Sequence, residues 1–118
     1  MLRRWLPVAV WMGVIFAASS TRIGGGSAGV PDWVAHAAVY LVLSALFCRA
    51  LAGGFRAPLT AGGALRATLL STLYGISDEY HQSFVPGRDA SVGDVASDFA
   101  GSALGAVGCG LAARRKSD

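Results

Sequence analysis

Asp32, His36 and Tyr40 follow one another at four-residue intervals, so a helix through them carries a carboxylate, an imidazole and a phenol along one face. Such a stripe can hold a cation, pass a proton or orient a polar headgroup. Each residue also has a plainer use. Asp32 can cap a helix after Pro31, His36 can hydrogen-bond a neighbour, and Tyr40 can anchor at a membrane interface.

A second group lies in Tyr74-Gly75-Ile76-Ser77-Asp78-Glu79-Tyr80-His81-Gln82-Ser83-Phe84. Tyr74, Asp78 and Gln82 repeat the four-residue spacing, with Glu79 adjacent and His81 close to the same face if the helix extends that far. Pro86-Gly87 then supplies a turn, with Gly able to take a positive φ, and it brings Arg88 back toward the carboxylates. Arg88 can clamp Asp78 or Glu79, or stay available for a phosphate or carboxylate of a ligand; its planar fork suits both.

The third group places Asp94, Asp98, Gly101, Gly105 and Gly108 within a narrow arc of one helix, while Val95, Phe99, Leu104, Val107 and Leu111 fall outside it. The face is acidic at one end and glycine below. Gly101-x-x-x-Gly105 permits close approach of another helix, which brings the two carboxylates against that helix's polar stripe. Whether the partner helix belongs to the same chain or to a second copy, giving a homo-oligomer through the Gly101/Gly105 face, is open at this stage. Asp94 is nearer the helix start, where it can also serve as a simple cap. Asp98 is a turn deeper, where a neutral carboxyl donating a hydrogen bond costs less than a charge, a role that an Asn amide imitates.

The elements that position these residues are apolar. Of the 118 residues, 53% are hydrophobic and 14% charged, against about 25% charged in ordinary soluble domains. With 16 Gly, the composition suits close helix contacts in lipid. We expect an all-α, four-helix transmembrane bundle forming one domain over residues 1–118, with spans near 3–20, 33–52, 59–78 and 92–113. Pro58 suits the start of the third helix and Gly53-Gly54 the end of the second. The first span, with Arg3 and Arg4 ahead of an apolar stretch and Ala17-Ala18-Ser19 behind it, also resembles a cleavable signal.

Charge favours keeping that span. With four spans and both termini cytoplasmic, eight basic residues fall inside (Arg3, Arg4, Arg49, Arg56, Arg66, Arg114, Arg115 and Lys116) and two outside (Arg22 and Arg88). The acidic residues divide the other way, with only Asp118 inside. The basic residues sit in short clusters without a continuous patch, which argues against nucleic acid as a partner. Cys48 and Cys109 fall in the inner halves of their spans, without zinc-site spacing, and are expected to be buried packing residues with no disulfide.

The set Asp32-x-x-x-His36-x-x-x-Tyr40, Asp78-Glu79-x-x-Gln82-x-Phe84-x-Pro86-Gly87-Arg88 and Asp94-x-x-x-Asp98-x-x-Gly101-x-x-x-Gly105 resembles the VanZ-like membrane protein family. The resemblance runs from Asp32 to Gly105. It implies a multi-pass protein of the bacterial inner or cytoplasmic membrane, related to the accessory factor for resistance to teicoplanin, a glycopeptide that binds cell-wall precursors outside the membrane. It carries the motif positions over without assigned catalytic roles, and Asp98 stands where the family often has Asn. The expected partners are the lipid bilayer and a cell-wall precursor, lipid-linked molecule or glycopeptide at the outer face; no cofactor is expected. The leading expectation is a non-enzymatic envelope protein that binds or remodels such a molecule and lowers sensitivity to lipophilic glycopeptides. A second is a hydrolase or transferase of lipid-linked phosphates holding a divalent cation on Asp78, Glu79, Asp94 and Asp98, with His36 as acid or base. A third is a small proton-coupled carrier.

Overall fold

The computed structural model describes residues 1–20, 31–54, 57–87 and 90–117. The described chain is all-α, with four helices in sequence: α1 Leu2–Ser19, α2 Asp32–Ala52, α3 Ala61–Gln82 and α4 Val92–Ser117. Two of them, α2 and α4 (the latter over Val92–Arg115), are long and apolar enough to cross a membrane.

Local signals set the ends. α2 stops where Gly53 takes φ 91°, with its N–H and that of Gly54 both donated to the Arg49 carbonyl. α3 begins after Thr60, whose Oγ1 accepts the Gly63 N–H at 3.0 Å, so the helix starts slightly later than the apolar run. It also runs on to Gln82 instead of stopping near residue 78. The apolar run ends there, but Asp78, Glu79 and Gln82 remain buried and the helix continues beneath them. α4 likewise continues past residue 113.

α2 touches all three other helices, and α1 and α4 lie on opposite sides of the α2–α3 pair. α2 and α4 run parallel: a Cβ added at Gly101 would strike the backbone of Ala37, and one at Gly105 the backbone of Leu41. Both pairs advance by four residues, so the glycine face is occupied by α2 of the same chain. Gly108, expected on that face, is exposed and has open space around its Cβ position. The seam advances along α4 in steps of four, from Gly101 to Gly105, and the partly buried Cys109, packed against the core, takes the next step in place of Gly108. α4 also packs on α3, and its buried set is Asp98, Gly101, Ser102, Gly105 and Ala106.

Along α1 the inward stripe is Val8, Trp11, Met12, Ile15 and Ser19. Two hydrogen bonds fix it. Trp11 Nε1 donates to the Val39 carbonyl at 3.0 Å, and Tyr74 Oη donates to the Met12 carbonyl at 2.6 Å. α1 is therefore an integral part of the packed bundle.

The interior is unusually polar. Ser19, Ser44, Ser71, Asp78, Glu79, Gln82, Asp98 and Ser102 are all buried, whereas Leu65, Leu69, Leu73, Phe99, Leu104, Val107 and Leu111 are exposed. Apolar residues coat the outside and small or polar ones fill the centre, the reverse of a water-soluble bundle.

Candidate functional site

Helix direction gathers the polar residues at one end. The N-termini of α2 and α4 and the C-termini of α1 and α3 meet there. The glycine seam then sets depth: with Gly101 on Ala37, the residue one turn earlier in α4, Asp98, comes level with His36. Their contact is 3.0 Å, from His36 Nδ1 to Asp98 Oδ1. Nε2 of the same ring lies 3.9 Å from Asp32 Oδ2 and 3.9 Å from Asp94 Oδ1.

The plainer role of His36, a hydrogen bond to a neighbour, is the contact with Asp98, while those of the other residues are filled differently. Ser91 Oγ accepts the Gly93 N–H at 3.1 Å and so caps α4, leaving the Asp94 carboxylate free of that task. Asp32 sits in the first turn of α2 but makes no side-chain cap hydrogen bond there. Tyr40 is only 1% exposed, too deep for an interface anchor. Asp98 is paired with the imidazole of His36.

Tyr40 and α3 form the other half of the site. Tyr40 Oη donates to Asp78 Oδ2 at 3.4 Å, and Gln82 Nε2 donates to the same oxygen at 3.1 Å and to Ser19 Oγ at 3.3 Å. Glu79 Oε2 accepts the Ser91 N–H at 2.8 Å, tying the start of α4 to α3. Glu79 stands beyond the apolar part of α3. Burial pushes its carboxyl above the usual carboxylate range, although the Ser91 hydrogen bond holds it down. Asp78 Oδ1, Glu79 Oε1 and Asp98 Oδ2 are each buried without a hydrogen-bond partner among the described residues.

A cavity of about 200 Å³ opens among α1, α2 and α3. Ile15, Ala18, Ala35 and Val39 give it an apolar wall, and Ser19, Asp32, His36, Tyr40, Asp78 and Gln82 a polar one. Asp94 and Asp98, which meet His36, are not among its lining residues.

Several sequence candidates are placed differently. Among the described residues, the donor atoms that come within 4.8 Å of one another are those of Asp32, His36 and Asp94, not of the set Asp78, Glu79, Asp94 and Asp98. His81 turns toward α1, stacking on Phe16 at 4.5 Å with Ser20 Oγ 3.0 Å from its Nε2. Pro86 and Gly87 form an exposed turn with Gly87 at φ 79°. Arg88 lies outside the described residues.

Other residues enter unannounced. Gly75 makes room for the carboxylate of Asp98: a Cβ there would lie 2.8 Å from Asp98 Oδ2 and 3.2 Å from Tyr40 Cε1. Below it, Ser102 Oγ lies 2.7 Å from both the Asp98 carbonyl oxygen and Ser71 Oγ, and Ser44 Oγ donates to the Ser102 carbonyl at 2.6 Å. The signal for them was the same spacing carried one turn inward: Tyr40 to Ser44, Asp98 to Ser102, and Gly75 back to Ser71.

The family model described as VanZ/LLP1 matches residues 4–113. No curated protein and no solved structure matches the chain.

Proposed function

The chain belongs to the VanZ/LLP1 family, and on that footing we propose that it is a multi-pass protein of the bacterial cytoplasmic membrane that binds a wall-related molecule at its outer face. Bound there, it lowers sensitivity to lipophilic glycopeptides such as teicoplanin. The membrane reading is supported by the apolar outer coat and polar centre of the bundle. Orientation follows from the basic residues, which collect at the end opposite the carboxylates and so place the acidic end outside, with both termini in the cytoplasm.

The observation that carries the binding reading is the two-walled cavity at the acidic end. Its apolar wall suits a group drawn from the lipid phase, and its carboxylates, phenol and amide suit a hydrogen-bonding headgroup. Its size narrows the choice. At about 200 Å³ it falls below the usual range for drug-sized ligands, so it takes a headgroup or side-chain fragment while the rest of the molecule stays in lipid or water.

The test is teicoplanin susceptibility in a sensitive bacterium expressing the chain. Wild type should raise the inhibitory concentration, and Asp78→Asn should not, with equal protein in the membrane fraction. Protection by Asp78→Asn equal to wild type, or none by a wild type present in the membrane, refutes the proposal.

A further inference from the structure

His36 has one nitrogen committed and one free. Nδ1 meets Asp98, which is 1% exposed and fixed by helix packing, while Nε2 faces the oxygens of Asp32 and Asp94. Three side chains from two helices thus converge one nitrogen and two carboxylate oxygens within 4.8 Å. Nitrogen and oxygen ligands at tetrahedral zinc, with bonds of about 2.0–2.2 Å, lie roughly 3.4 Å apart. The 3.9 Å separations from Nε2 need to close by about 0.5 Å to match that spacing, and the two carboxylates, within 4.8 Å of each other, by up to about 1.4 Å, which side-chain rotation of the half-exposed Asp32 supplies.

A second observation points the same way. Glu79 is 6% exposed, its Oε1 has no hydrogen-bond partner among the described residues, and it lies within electrostatic reach of both Asp94 and His36. Among the described residues, His36 is the one basic side chain set against these carboxylates. Such crowding of negative charge in a confined place is expensive unless a cation offsets it.

We propose that Asp32, His36 and Asp94 bind one divalent transition-metal ion of the manganese-to-zinc class, with Asp98 as the positioning residue that orients His36. An imidazole beside two carboxylates favours such ions over magnesium or calcium, which prefer oxygen alone. Metal at Nε2 requires the proton on Nδ1, and that proton is donated to Asp98, the usual buttress of a metal-bound histidine. The amide oxygen of an Asn accepts the same proton, so the buttress survives Asp98→Asn.

The test is equilibrium dialysis of the purified, chelator-stripped full chain in detergent against zinc or manganese, with bound ion counted by mass spectrometry. One ion per chain is expected. Asp32→Asn should weaken binding at least tenfold, and because Asp32 is half-exposed this change leaves the fold intact. Asp98→Asn should stay within about threefold of wild type, whereas Asp98→Leu should lose roughly 10–100-fold and alter the visible spectrum of the cobalt-substituted protein. Absence of stoichiometric metal, equal affinity in Asp32→Asn, or calcium bound as tightly as zinc overturns the site. The proposal is independent of glycopeptide protection: a chain that protects cells but binds no metal refutes it and leaves the function above standing.

Discussion

Gly105→Ala and Gly108→Ala make the same change three residues apart on one helix, and the packing separates them. At Gly105 the new methyl falls on the carbonyl oxygen of Leu41 and lies 3.2 Å from its carbonyl carbon and Cα, all backbone atoms that cannot rotate away. Relief to ordinary contact requires α2 and α4 to part by about 1 Å. The same seam carries the His36–Asp98 contact at 3.0 Å and the Ser44–Ser102 hydrogen bond at 2.6 Å, so parting strains both. Overpacking costs about 1–3 kcal/mol and each weakened hydrogen bond about 1 kcal/mol, offset by about 1 kcal/mol of better helix propensity. The net for Gly105→Ala is a loss of roughly 2–4 kcal/mol. At Gly108 nothing lies within 4 Å, so only the propensity remains and Gly108→Ala is neutral or up to about 1 kcal/mol stabilising. Thermal unfolding in detergent, followed by helical circular dichroism, should therefore place the two melting temperatures roughly 8–20 °C apart, taking about 4 °C per kcal/mol. Melting temperatures that agree to within about 2 °C would refute the close α2–α4 seam.

Three further outcomes follow from the same geometry. In a chain carrying Cys48→Ser and Cys109→Ala, a cysteine at Ser83 or Ser91 should react with an impermeant thiol reagent added to intact cells and one at Ser117 should not; labelling at Ser117 overturns the orientation. Asp98→Asn should keep both expression and glycopeptide protection, because the amide still accepts from His36, whereas Asp94→Asn should lose protection at normal expression, because its carboxylate faces Nε2 of His36, whose ring lines the cavity; equal tolerance removes Asp94 from the site. Ser91→Ala should lower thermal stability by about 1 kcal/mol through loss of the α4 cap, and an unchanged melting temperature would return the capping role to Asp94.

Much of the fold was legible because two periodic signals coincide. Apolar blocks gave four helices, and four-residue spacing put Asp32, His36 and Tyr40, then Asp94 and Asp98, on single faces. The Gly101-x-x-x-Gly105 pair supplied depth as well as contact, since its register on Ala37 and Leu41 fixes which carboxylate meets His36. What pattern alone left open was the choice between neighbours. A helix wheel gives one face, but the seam advances along α4 in steps of four, so Cys109 and not Gly108 follows Gly105 into the interior. The carboxylates of α3 and α4 looked like one acidic set, yet Tyr40 and Gln82 draw Asp78 to one side, while Asp94 and Asp98 gather on His36. Small residues were hardest to read. Gly75, Ser71 and Ser102 carry no chemical signature of their own, and their importance comes from what they admit or satisfy in the interior.

The central claim is that the acidic-end cavity binds a wall-related molecule, and direct binding in a bilayer tests it. The chain would be placed in nanodiscs and titrated with a fluorescent lipid-linked wall precursor and with labelled teicoplanin. Saturable binding of at least one of them is predicted for wild type and Gly108→Ala, with at least a tenfold loss in Asp78→Asn, which removes the charge that Tyr40 and Gln82 hold in the cavity wall. Binding no stronger than to empty nanodiscs, or equal in Asp78→Asn, would contradict it.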